Sequence, residues 1–270
     1  MKFQRVIPYV FVASICSATL IGQQSTDLAA IQRNPQALAL LEQVRDASGG
    51  PIPLGAVQDF VATGTIDYPG LADKATRNAT VRARGMNQLR IDESTSESSH
   101  SFTNDNGNAW LKGTDGNPRS VRRHDNVQAT STILPLLQLV EALRDPTISV
   151  VDLGVDTNQG QQEHGIRLQR HFSAKNDPAH ILSDWSRQDF FVDPATLRIM
   201  RLHNQIHPTS ITNRASERDV VYGDYRLING VLVPFQITEM VMSRTIFVLQ
   251  FTNFQFNAGA SDTDFANPSL

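Results

Sequence analysis

The 270-residue sequence is poor in cysteine and in charge. Its only cysteine, Cys16, excludes an internal disulfide framework and a cysteine-rich zinc site. Only 19% of the residues are charged and 40% are hydrophobic, which is too much apolar material for an intrinsically disordered chain. The formal net charge of -3 gives no general attraction to phosphate backbones, so no nucleic-acid partner is expected.

The chain also lacks the common sequence motifs of enzymes. It contains no G-x-S-x-G, no G-x-G-x-x-G, no Walker-type loop and no H-E-x-x-H. The nearest approach to a metal motif is His203 with His207, but strand positions four apart are separated by about 13 Å, too far to share a metal ion. We therefore predict no catalytic residues, no metal site and no cofactor, and an enzyme with an uncommon site is the least favoured alternative.

Residues 1–25 have the pattern of a secretory signal peptide. Lys2 and Arg5 form a basic start, residues 6–22 are uncharged and mostly apolar, and small polar residues follow. The apolar stretch is slightly short for a membrane-spanning helix, which needs about 20 residues. The sequence therefore predicts an exported, periplasmic protein. The alternative is an N-terminal membrane tether, if the signal is not cleaved.

Two segments carry apolar residues at helical spacing. In residues 35–48, Leu38, Leu41 and Val44 recur on one face, and a glycine pair follows. In residues 131–144 the stripe is wider and consists of Ile133, Leu136, Leu137, Val140 and Leu143. Both segments are predicted helices. Because the second one interrupts a series of strands, the nearest large apolar surface that can bury its stripe is a sheet.

The rest of the chain reads as strands. Short runs rich in Val, Ile, Phe, Thr and Tyr alternate with turn signals such as Asn-Gly. The predicted strands are residues 59–68, 76–85, 87–94, 97–104, 108–113, 148–155, 164–172, 187–193, 197–206, 218–228, 231–242 and 245–257. The linkers are too short for the crossover helices that parallel strands need, so we predict an antiparallel sheet of sequential hairpins. We predict that residues 26–270 form a single domain.

The late strands have the clearest apolar patterning. One of them alternates its apolar residues along a single side, and these are Val231, Val233, Phe235 and Ile237. The last strand is apolar on both faces, which is typical of a strand that is covered on both sides. Trp110 follows a turn, where it either lines an apolar pocket or is an ordinary core aromatic.

The C-terminal third of the sequence resembles the outer-membrane lipoprotein-sorting proteins of the LolA/LolB-like superfamily. The resemblance lies in the turn and strand DPATLRI at residues 193–199, the hairpin VYGDYRLINGVLVP at 221–234 and the ending FNAG at 256–259. Upstream, TGTI at residues 63–66 matches the usual first strand. The resemblance implies a mainly β (α+β) fold, a strongly bent antiparallel half-barrel of about eleven strands with helices covering the concave face.

The resemblance also implies a function, that of a carrier whose concave apolar cavity holds the acyl chains of a lipoprotein or lipid. We expect the protein to be a monomer. The candidate lipid-binding residues are Trp110, Leu136, Leu137, Val140, Val231, Val233, Phe235 and Ile237. The helix at 131–144 and an acyl chain would compete for the same surface. The helix would therefore have to move like a lid when the chain is taken up or released. The alternative is a non-catalytic envelope scaffold or protein-binding domain whose interior is filled by its own side chains.

Overall fold

The structure is a computed structural model that describes residues 31–71, 75–121, 132–158, 160–207 and 215–266. The predicted signal peptide at residues 1–25 lies outside this range, and so does Ser131 at the start of the second predicted helix. Within the described residues, no helix is long and apolar enough to cross a membrane.

In the part of the chain that the structure describes, thirteen antiparallel strands form one continuous, unclosed sheet. They are β1 (Asp59–Asp67), β2 (Arg77–Arg84), β3 (Gln88–Ser94), β4 (Ser99–Asp105), β5 (Asn108–Lys112), β6 (Pro118–Val121), β7 (Ile148–Asn158), β8 (Gln161–Arg170), β9 (Gln188–Val192), β10 (Ile199–Ile206), β11 (Ser216–Ile228), β12 (Val231–Val241) and β13 (Arg244–Phe256). The order across the sheet is β6-β5-β4-β3-β2-β1-β13-β12-β11-β10-β9-β8-β7. The predicted antiparallel meander is confirmed. Twelve of its strands correspond to the twelve predicted ranges, and the short strand β6 was not predicted. The resemblance implied about eleven.

The seam between β1 and β13 joins the two arms of this meander. The register shifts between Thr63 and Gly64, which marks a β-bulge. A Cβ atom on Gly64 would lie 2.0 Å from the carbonyl oxygen of Gln250, so only glycine permits this close approach of two backbones. Because bulges bend and twist a strand, this position contributes to the curvature of the sheet.

The concave face of the sheet carries the apolar core. Directly paired residues on antiparallel strands point to the same face, so the register assigns each side chain to one of the two faces. Phenylalanines fill the seam, where the ring centroids of Phe60 and Phe254 lie 4.8 Å apart and those of Phe254 and Phe256 lie 5.1 Å apart. The centre of the half-barrel is therefore packed with side chains.

Two helices cover the concave face, namely α1 (Pro35–Ala47) and α3 (Pro135–Arg144). Just before α1, the amide of Asn34 donates to Val150 on β7, and just after it the carbonyl of Ser48 accepts from Leu232 on β12. The helical path between these points is about 21 Å long. The path along the sheet from β7 to β12 crosses five strand spacings, which measure about 24 Å. Because the helix is the shorter of the two paths, the sheet bends around it.

Three further helices are short and were not predicted. They are α2 (Pro51–Gly55), α4 (Ile181–Trp185) and α5 (Asp262–Phe265). Gly49, with φ of 127°, turns the chain from α1 into α2, and a Cβ atom there would lie 2.2 Å from the carbonyl oxygen of Gly230. Both predicted helices are confirmed, although α3 begins at Pro135, later than predicted.

Candidate functional site

Helix α3 is amphipathic and lies over the concave face as expected. It packs against α1, β7 and β10. Leu136, Leu139, Val140 and Ala142 are buried, whereas Leu137 is only half-buried. Since Leu137 stands on the edge of the apolar stripe, it faces the space beside the helix instead of the sheet below it.

A groove of about 330 Å³ lies beside the C-terminal half of α3. Its opposite walls are α2, the residues before β1 and the turn between β2 and β3. The apolar lining consists of Leu54, Val57, Met86, Leu137 and Val140, with Gly55 and Gly85 between them. Glu141, Arg144 and Asp145 form a charged rim. The groove thus separates the helix from the arm of the sheet that begins with β1.

Arginines hold the C-terminal end of α3 in place. Arg33 donates from Nη2 to the carbonyl oxygen of Ala142 at 3.0 Å and from Nη1 to that of Asp145 at 3.0 Å. Arg170 pairs with Glu141 at 2.8 Å and with Asp145 at 2.5 Å. Positive charge at this end complements the helix dipole and satisfies the last carbonyl groups of the helix.

The carboxylate of Asp145 is stabilised in its ionised form. Hydrogen bonds from Thr147 come first, with 2.7 Å between Oγ1 and the carboxylate, and the Arg170 guanidinium adds to them. Together they hold the pKa of Asp145 below its ordinary value. Asp145 therefore keeps its negative charge under mildly acidic conditions.

A buried ion pair fixes the segment that leads into α3. Arg218 is 8% exposed and bonds to Glu239 through Nε at 2.9 Å and Nη2 at 2.8 Å. The same Nη2 donates to the hydroxyl of Thr132 at 2.5 Å. Because the pair is buried on the concave face, removing one partner would leave the other charge desolvated.

A row of apolar side chains continues from the core onto the β3–β5 arm. Strand register places Val81, Ile91, Phe102 and Leu111 in one line across β2, β3, β4 and β5. Val81 is fully buried, Ile91 and Phe102 are half-buried, and Leu111 is 51% exposed. This concave apolar row is therefore covered at one end and open at the other.

The structure brings most of the predicted site residues together. Leu137 and Val140 line the groove, and Leu136 lies on the buried face of α3 at 3% exposure. The four sheet residues, Val231, Val233, Phe235 and Ile237, share the concave face and are 0–2% exposed. They form the floor beneath the helices, and the groove does not reach them.

Trp110 is not part of this group. It pairs with Thr103, which pairs with Arg90, and this line of residues lies on the convex face of the sheet. Its neighbour Ala109 occupies the concave face and is 1% exposed. The register thus separates Trp110 from the other seven residues by the thickness of the sheet.

The groove and the apolar row could not be recognised in the sequence. Leu54, Val57 and Met86 come from a short helix and two loops that carry no periodic pattern. Phe102 is an isolated apolar residue in a polar strand, whereas Leu111 follows Trp110 and lies on the opposite face from it, and only the register aligns Phe102 with Leu111. The alternation of Leu89 and Ile91 on β3 is the one local signal that points to this face.

Solved structures share this architecture. An outer membrane lipoprotein-sorting protein domain from Vibrio parahaemolyticus is 9% identical, with a TM-score of 0.54 over 85% of this chain and 96% of that chain. The chain has a LolA-like fold. A LolA superfamily protein from Nitrosomonas europaea is 14% identical, with a TM-score of 0.51 over 86% of this chain and 99% of that chain.

A DUF1329 family protein from Desulfovibrio piger is also similar in structure, at 12% identity, with a TM-score of 0.55 over 88% of this chain and 99% of that chain. No protein-family model matches the chain, and no curated protein matches it. At these identities the similarity establishes the fold, and the function must be argued from the site.

Proposed function

We propose that the protein is an exported carrier that binds an acyl chain of a lipid or lipoprotein in the groove beside α3. The groove itself is the observation that supports this function. Its volume of about 330 Å³ lies in the range of small-molecule sites, which is roughly 300–1,000 Å³. Its walls are apolar and its rim is charged, which suits a ligand with a hydrocarbon chain and a polar end.

Hydrophobic burial supplies enough free energy for such binding. Each methylene moved out of water contributes about 0.8 kcal/mol, so a sixteen-carbon chain offers on the order of 10 kcal/mol before ordering costs. The groove is at the lower limit of the expected volume, and the open end of the apolar row at Phe102 and Leu111 offers further surface on the same concave face.

Deeper entry requires α3 to move, since the sheet residues below it are already buried. The bonds that oppose this movement at the C-terminal end of the helix come from Arg33 and Arg170. Ion pairs as exposed as those of Arg170 stabilise by at most about 1 kcal/mol each. Breaking these ion pairs alone therefore costs less than the binding of a long acyl chain can provide. The chain must also replace the apolar contacts that the buried side chains of α3 give up.

The remaining parts of the proposal come from the sequence and from the fold. The predicted signal peptide at residues 1–25 would export the chain to the periplasm, and residues 26–270 would act there as a single, monomeric, non-enzymatic domain. The similar lipoprotein-sorting domain supports a cargo that carries acyl chains.

Native mass spectrometry of the exported, purified protein tests the carrier function. A carrier should show a co-purified lipid mass, lose it on delipidation and regain it when phospholipid or palmitate is added back. A protein that shows no adduct before delipidation and none after addition of either probe would not be a carrier.

The packed interior favours a second function, that of an envelope scaffold or protein-binding domain. Phe235 and Ile237 are 2% and 0% exposed, so the centre of the half-barrel is filled without any ligand. In that case the lipid experiment would fail, and cross-linking in cells would capture a protein partner of the envelope.

A further inference from the structure

A second cavity, of about 390 Å³, opens on the convex face of the sheet. It lies where β9 begins and β10 ends, next to α4. Its lining includes Arg167, Trp185, Arg187, Asp189, Gln205 and His207. Because this is the opposite face from the groove beside α3, the carrier function does not involve it.

An arginine–carboxylate pair forms the floor of this cavity. Arg167 on β8 and Asp189 on β9 are direct cross-strand partners. Nε and Nη2 of the guanidinium each lie 2.7 Å from one oxygen of the carboxylate. This two-bond pairing uses two of the five N–H groups of the arginine and part of the carboxylate's lone pairs. The remaining donors and acceptors lie side by side at the cavity.

The charges around the cavity offset one another. Arg167 and Arg187 are matched by Asp184 and Asp189 in the lining. His203, the next residue across the sheet, bonds to Asp219 at 3.1 Å and to Glu217 at 2.9 Å. A cavity of this kind does not select an ion of either sign. It suits uncharged hydroxyl groups, since each hydroxyl both donates and accepts.

An aromatic wall stands beside the polar floor. The rings of Trp185 and His207 are in contact, with their centroids 4.8 Å apart and their planes tilted by 33°. Helix α4 holds Trp185 in place, because the carboxylate of Asp177 accepts from the amides of Leu182 at 3.0 Å and Ser183 at 2.8 Å. Because the wall is already rigid, it would lose little conformational entropy when a ligand binds to it.

We propose that this convex-face cavity binds an uncharged sugar ring. A pyranose has apolar C–H faces, which pack on aromatic side chains, and a rim of hydroxyl groups, which the arginine, carboxylate and amide groups can engage together. The recognised sugar belongs to a soluble glycan or to the headgroup of a glycolipid.

Tryptophan fluorescence tests this proposal. The chain has two tryptophans, so in a Trp110→Phe background Trp185 is the only reporter. Glucose, maltose, N-acetylglucosamine and chitobiose are the soluble probes, and inorganic phosphate is the anionic probe. We expect a saturable change with at least one saccharide and none with phosphate.

Variants then locate the binding. Asp189→Asn removes the acceptor charge, and Gln205→Ala removes an exposed amide whose nitrogen also donates to Glu217 at 2.9 Å. Either should weaken saccharide binding by about tenfold or more, whereas Asp156→Asn, an exposed change outside the cavity, should leave it unchanged.

The sources of the sugar are distinguished with phosphatidylcholine vesicles that contain or lack glucosyl diacylglycerol. Binding to soluble saccharides supports a glycan ligand, and binding only to the glycolipid vesicles supports a headgroup ligand. The proposal fails if neither source binds, if phosphate alone changes the fluorescence, or if Asp189→Asn and Gln205→Ala both bind as well as the parent protein.

Discussion

Leu137→Glu should separate acyl-chain binding from folding, because Leu137 lines the groove and is only half-buried. The unfilled groove allows water to hydrate the new carboxylate. The fold should therefore lose only about 1 kcal/mol of stability, from the lost burial of half a leucine side chain.

An acyl chain in the groove would have to displace this water. Burying a neutral polar group without a hydrogen-bond partner costs about 1–3 kcal/mol, which is a lower limit for a carboxylate, and the missing leucine contact adds about 1 kcal/mol. The sum of about 2–4 kcal/mol corresponds to a loss of affinity of about 30- to 700-fold. The nearby carboxylate of Glu141 acts in the same direction.

The assay is displacement of a fluorescent fatty acid from the purified protein, with urea unfolding as the measure of stability. Gln138→Glu is the matched control, because it adds the same charge one residue along α3 and lies outside the groove lining. We expect its affinity to stay within about twofold of the parent. Equal affinities for Leu137→Glu and the parent would refute the assignment of the groove.

Three further predictions concern stability and can be measured by urea unfolding. Arg218→Met should lower the free energy of unfolding by about 3–5 kcal/mol, because it leaves the largely buried carboxylate of Glu239 without its partner, whereas Arg119→Met in an exposed pair should lower it by less than about 1 kcal/mol; equal costs would contradict the role of burial. Gly64→Ala should cost more than about 2 kcal/mol through its backbone clash, and Gly70→Ala, with open space around it, should be close to neutral. The hydrogen bond to its aspartate partner raises the pKa of His203, so the stabilising charge is present below about pH 6.5 and is lost as the pH rises through the raised value. His203→Gln should therefore destabilise more at about pH 5.5 than at about pH 8.5, and a cost that does not vary with pH would disprove the linkage.

The sequence predicts the elements of this fold better than the site. Strand alternation and turn dipeptides are local signals, so twelve of the strands and both long helices could be located from them. Strand β6 is short and polar, and α2 has two prolines in five residues, so neither has a periodic pattern.

The face on which a strand residue lies, and the residues that line a cavity, depend on the strand register. Local sequence patterns do not specify this register. Trp110 follows a buried alanine by one position, and a shift of one residue is enough to place it on the convex face. The two-bond pairing of Arg167 and Asp189 joins residues from two strands, and the wall of Trp185 and His207 joins a helix to a strand end. Such pairs are visible only once the strands are aligned.

Photo-crosslinking with a palmitate analogue that carries a diazirine at the end of its chain tests the central claim most directly. After irradiation, peptide mass spectrometry shows which residues contact the end of the chain. If the acyl chain occupies the groove, we expect labels on Met86, Leu137 and the neighbouring groove residues, and we expect these labels to be lost in Leu137→Glu. Labels confined to the convex face, or no label on the purified protein, would contradict it.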